Sequence, residues 1–143
     1  MSDPDRSLAH MLRRRVATSG DALAFETPSG DGYAPVTWTA FGARVRDLAA
    51  GLLALGVAKG DRVAILCSTR LAWVEADFAI LSAGAATTTI YPSSTPEECA
   101  YILRDSGAVA VVVESAEQLA KIRGVWDDLP ELRVAVLVEG PTD

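Results

Sequence analysis

The spacing of apolar residues in the first part of the chain predicts a helix followed by a hairpin. Apolar positions recur every three or four residues up to Gly20, as on one face of a helix: Leu8, Met11, Leu12 and Val16. Two short runs with strand composition follow, at 22–27 and 33–38, and residues 28–32 between them form a turn cluster. We therefore expect an N-terminal helix and a β-hairpin.

A longer amphipathic pattern predicts the second helix. Its apolar residues form one continuous stripe: Phe41, Val45, Leu48, Leu52 and Leu55. Thr39 is placed to cap the start of this helix, and Gly56 is placed to end it. Gly42 stands where a glutamate would complete a capping box with Thr39, so we expect the helix start to lose about 1 kcal/mol of stability.

Beyond residue 60 the pattern alternates between apolar strands and helices. Strands are predicted at 62–67, 86–91, 109–113 and 132–138. A nearly all-apolar helix separates the first two strands, and capping boxes predict the starts of two later helices: Thr95 with Glu98, and Ser115 with Gln118. The last helix should carry Leu119, Ile122 and Trp126 on one face.

This alternation predicts a parallel sheet with right-handed crossovers. The expected fold class is α/β: an N-terminal helix and β-hairpin followed by a partial parallel sheet with βαβ crossovers. Both faces of such a sheet are normally covered, and few helices are predicted here. We therefore expect apolar strands such as 109–113 and 134–138 to lack cover, and the isolated chain to fold only partly.

Composition narrows the classes of function. The net charge of −6 argues against nucleic acid as a partner. Residues 13–15 are all arginine, which we interpret as a solvated helix face, the alternative being a peripheral contact with anionic lipid.

Cys67 and Cys99 form no disulfide framework and are interpreted as small buried hydrophobes. The longest apolar stretch, 78–86, is too short to cross a bilayer, so a cytoplasmic protein is expected.

Motifs for nucleotide or nucleophilic chemistry are absent from the sequence. Residues 67–70 follow the first parallel strand without the glycines of a dinucleotide site, and no phosphate loop with lysine occurs. His10 is the single histidine and lies near a terminus, so the sequence lacks the residues of a catalytic triad and the ligand spacing of a metal site. The carboxylate pairs at 97–98 and 127–128 have structural explanations. We assign no catalytic, cofactor-binding or metal-ligating residue in the chain.

Two loops remain candidates for ligand contact, because ligands of open parallel sheets gather beyond the carboxyl ends of strands. Residues 68–70 follow one predicted strand end, and residues 91–94 follow another. The simpler interpretation is that both loops only connect their neighbours.

Several stretches, taken in order and spacing, resemble one family. They are 37–39, 53–65, the segment from Arg70 and Trp73 through 79–85, and 90–98 with 100–103 and 105–108. Together they resemble the AMP-forming long-chain fatty-acid CoA ligases of the adenylate-forming enzyme superfamily. The start of the fourth stretch, Ile90-Tyr91-Pro92, and its cap, Pro96-Glu97-Glu98, are similar to the long-chain branch.

The resemblance implies a two-step reaction. ATP and a fatty acid give an acyl-adenylate and pyrophosphate with the help of Mg²⁺, and coenzyme A then displaces AMP. In that family the phosphate loop, the adenine pocket, the ribose-binding aspartate and the C-terminal lysine lie further along the chain. Residues 1–143 are therefore expected to be the N-terminal part of the AMP-binding (adenylation) domain, without the remainder of that domain or the C-terminal domain.

Such a chain is expected to be inactive by itself and to bind none of these cofactors. An alternative is a non-catalytic interaction module that pairs with another ligase chain. An unrelated small α/β binding protein is a third and weaker alternative, because the ligand fingerprints are absent.

Overall fold

The computed structural model describes residues 7–140, so residues 1–6 and 141–143 of the predicted domain lie outside the described part. Helix α1 spans Leu8–Ser19, strands β1 and β2 span Leu23–Ser29 and Gly32–Thr37, and helix α2 spans Trp38–Ala54. The two strands pair antiparallel, which confirms the predicted helix and hairpin.

The remainder alternates strand and helix as expected. Its elements are β3 Arg62–Leu66, α3 Leu71–Ser82, β4 Ala86–Ile90, α4 Pro96–Ser106, β5 Ala108–Val113, α5 Ala116–Gly124 and β6 Val134–Leu137, with a short 3₁₀ turn at Trp126–Asp128 before the last strand. The four strands form one parallel sheet in the order β4-β3-β5-β6. The predicted α/β class is confirmed.

Side chains of the sheet alternate between two helical layers. Val63 and Ile65 face α2 and α3, whereas Ala64 and Leu66 face α4 and α5. Every residue of β5 is buried, so the expectation that strand 109–113 lacks cover was wrong, because helices lie on both of its faces. The edge strand β6 is shorter than predicted and only half-buried.

The start of α2 differs from the prediction. Thr37, not Thr39, is the capping residue, and its Oγ1 accepts a hydrogen bond from the backbone N–H of Ala40 at 3.2 Å. Strand β2 runs directly into the helix, so the chain becomes helical two residues earlier than expected. The third helical position is therefore Ala40, and Gly42 has no capping role.

Gly42 serves the packing of α1 on α2 instead. A Cβ atom at this position would lie 2.6 Å from Val16 Cγ2, well inside van der Waals contact. The absence of a side chain therefore lets α1 approach α2 closely.

The predicted stripe of α2 is buried only in part. Phe41, Val45 and Leu52 are buried as expected, whereas Leu48 and Leu55 are 40% and 50% exposed. Phe41 lies at the centre of an aromatic cluster, with ring centroids 5.0 Å from Phe25 and 5.7 Å from Phe78. The helix packs on the hairpin, α1 and α3, and one side of its stripe is left open.

The two predicted capping boxes have different outcomes. Thr95 and Glu98 form a complete box: Thr95 Oγ1 accepts from the Glu98 N–H, and Glu98 Oε2 accepts from the Thr95 N–H. Ser115 Oγ accepts from the Gln118 N–H, but the Gln118 side chain turns away towards another loop, so the second box is incomplete. The predicted face of α5 is also shortened, because Trp126 lies in the 3₁₀ turn.

Candidate functional site at the carboxyl edge of the sheet

The strand order places a topological switch point between the carboxyl ends of β3 and β5. The chain leaves β3 towards β4 on one side, and it leaves β5 towards β6 on the other side. In open parallel sheets ligands bind where neighbouring connections diverge in this way. The loops at this point are 67–70 and 114–115, and the first contains one of the two predicted candidates.

A polar cluster lies at this switch point. Ser68 donates to the carboxylate of Glu114 through its N–H, at 3.1 Å, and through its hydroxyl, at 2.5 Å. Arg70 Nη1 donates to Glu114 Oε1 at 3.3 Å, and Arg70 Nη2 donates to Glu139 just beyond β6. The cluster ties together the loops that follow three strands.

The opposite charges of the cluster stabilise the ionised form of each partner. The hydrogen bonds from Ser68, and then the positive charge of Arg70, hold the pKa of Glu114 below its ordinary value. Glu139 and Glu114 in turn raise the pKa of Arg70. Ser68 and Arg70 donate to the carboxylates of Glu114 and Glu139, so these groups are already paired. In this arrangement loop 68–70 stabilises the structure.

Cys67 lies beneath the cluster and is buried. Burial, and then the negative charge of Glu114, raises the pKa of its thiol to about 11. Burial likewise raises the pKa of Cys99, and neither cysteine forms a disulfide. Both side chains pack in the two apolar cores, so the interpretation of both residues as small buried hydrophobes is confirmed.

Side chains of α5 form hydrogen bonds with the second candidate loop, 91–94. Lys121 Nζ donates to the carbonyl oxygens of Pro92 and Ser94 at 2.7 and 2.9 Å. Gln118 Nε2 donates to the same Pro92 oxygen at 3.3 Å, and its buried Oε1 finds no partner among residues 7–140. Lys121 was not predicted, because nothing local in the sequence indicates a contact across 29 positions.

The other residues considered from sequence lie apart from this edge or serve the structure. His10 is exposed and bonds Ser7 at 2.9 Å through Nδ1. Arg15 stacks over the Trp38 ring at 5.3 Å. Glu97 and Glu98 lie in the first turn of α4, where the helix dipole favours negative charge.

The described residues form neither a metal-binding group nor a membrane-spanning helix. Residues 7–140 contain no group of three or more His, Cys, Asp or Glu side chains that could hold a metal ion. No helix in that part of the chain is long and apolar enough to cross a membrane.

Comparison with known proteins identifies the family. Residues 12–143 match the family described as AMP-binding enzyme. The chain is 34% identical over 122 residues to the long-chain-fatty-acid–CoA ligase heimdall of Drosophila melanogaster, covering 84% of this chain and 18% of that protein. It is 35% identical over 134 residues to the long-chain-fatty-acid–CoA ligase FadD15 of Mycobacterium tuberculosis, covering 94% of this chain and 22% of that protein.

A solved structure supports the same relationship. The N-terminal domain of FACL13 from Mycobacterium tuberculosis superposes with a TM-score of 0.84 and 28% identity, covering 93% of this chain and 34% of that one. The chain thus spans about a fifth of the length of these curated relatives and about a third of the solved domain. The chain belongs to the AMP-binding enzyme family, the adenylate-forming enzymes.

Proposed function

We propose that this chain is the N-terminal part of the AMP-binding domain of a long-chain fatty-acid–CoA ligase. The observation that carries the proposal is that two relatives named as such ligases align with 84% and 94% of the chain. The complete protein would activate a fatty acid with ATP and Mg²⁺ as an acyl-adenylate, and would then transfer the acyl group to coenzyme A.

The role of these residues in that protein is architectural. The loops at the switch point between β3 and β5 contain no glycine-rich segment, and Ser68 and Arg70 already bond Glu114 and Glu139. The residues present do not fit a nucleotide phosphate or its metal, so we derive no chemical step through them. We propose that the 143-residue chain alone does not catalyse the reaction.

A chimera tests the proposal. The segment of FadD15 that aligns with this chain is replaced by the chain, and fatty-acid-dependent AMP release is measured with ATP, Mg²⁺ and coenzyme A. We expect the folded chimera to release AMP and the 143-residue chain to match a blank. Turnover by the chain alone contradicts the proposed inactivity, and a folded chimera without activity contradicts the proposed function.

We further propose a cytoplasmic protein with a peripheral membrane contact through α1. Leu8 and Met11 are 49% and 40% exposed on this helix, and Arg13 is exposed on another side of the same helix, a combination that favours the interface of an anionic bilayer. We expect the chimera to sediment with phosphatidylglycerol vesicles and not with phosphatidylcholine vesicles. Arg13→Gln should weaken that binding, whereas Arg123→Gln on α5 should not; equal sedimentation with both vesicles contradicts this contact.

A further inference from the structure

We draw no further inference here: the strongest candidate, the apolar groove between α1 and α2 whose lining includes Arg13 and Arg46, carries nothing because nothing in the structure shows what covers it.

Discussion

Arg70 follows β3 and Glu114 follows β5, and 44 positions separate them, yet Arg70 Nη1 lies 3.3 Å from Glu114 Oε1. Ser68 and Glu139 complete the same cluster, so one guanidinium and one carboxylate join the loops after three parallel strands. The cluster lies at the edge of the sheet where ligands bind in this class of fold.

Removal of the Arg70 guanidinium should loosen this edge. Arg70 is 38% exposed and Glu114 is 18% exposed at the side chain, so screening by solvent is substantial. We expect Arg70→Met to lower the free energy of unfolding by about 1 kcal/mol, as read from urea denaturation. Arg46→Met is the control, because its pair with Asp47 is 78% and 75% exposed, and it should change stability very little. Equal losses in the two variants would contradict a specific tie.

The stability contributed by Glu114 should depend on pH. Its pKa is lowered from 4.5, first by the Ser68 hydroxyl, so its carboxylate stabilises the fold above pH 4.5. That contribution is lost as the pH falls through the lowered pKa. Ser68→Ala should therefore be less stable than wild type at pH 7, and the difference should shrink below pH 4.5. Urea denaturation across this range checks it, and a difference that stays constant would show that Glu114 is not involved.

The two cysteines should be unreactive in the native chain. Burial raises the pKa of Cys67 to about 11 and also raises that of Cys99, so the thiolate fraction is small at pH 8. We expect Ellman's reagent to modify neither thiol in native protein and both in guanidinium chloride. Rapid native labelling of either one would contradict its burial.

Two glycines of α2 should respond in opposite ways to alanine. Gly42→Ala places a methyl group 2.6 Å from Val16 Cγ2, and such overpacking typically costs about 1–3 kcal/mol, more than the gain in helix propensity. Gly51→Ala meets no atom within 4 Å and should raise stability by up to about 1 kcal/mol. Thermal melts compare the two.

A second substitution identifies the cause. Adding Val16→Ala to Gly42→Ala should recover part of the loss, because the clashing methyl group is removed. Strictly additive effects would mean that Val16 and Gly42 are not coupled.

The loop at 91–94 should depend on Lys121. Lys121→Met removes the donor to the Pro92 and Ser94 carbonyls, and hydrogen bonds from charged groups contribute roughly 1.5–3 kcal/mol. We expect faster hydrogen exchange in this loop, measured by mass spectrometry. Arg123→Met, an exposed position on the same helix, should leave exchange unchanged. Unchanged hydrogen exchange in Lys121→Met would mean that the Lys121 hydrogen bonds do not stabilise the loop.

Local patterns predicted the elements well and their ends less well. The run at 109–113 and the box of Thr95 with Glu98 are local features, and the structure confirms both. Thr37 and Thr39 are equally able to cap a helix by residue type, and the path of the hairpin selects Thr37. Gln118 turned from its predicted box because the Pro92 carbonyl lies within reach.

The sequence located the carboxyl edge of the sheet as a candidate site, but it did not predict which side chains meet there. Loop 68–70 was a candidate because it follows a strand, yet its partners Glu114 and Glu139 lie 44 and 69 positions from Arg70. No periodicity relates such residues, since only the strand order brings their loops together.

The sequence by itself determined the α/β class, the order of helices and strands and the membership of the family. Each of these follows from the apolar period along short segments or from residues in a fixed order. Only the tertiary structure decided the strand order β4-β3-β5-β6, the tie of Arg70 to Glu114, and the exposure of Leu48 and Leu55. The physical reason is that these features depend on which distant segments pack together, and a helix pattern shows which side chains share a face but not what covers that face.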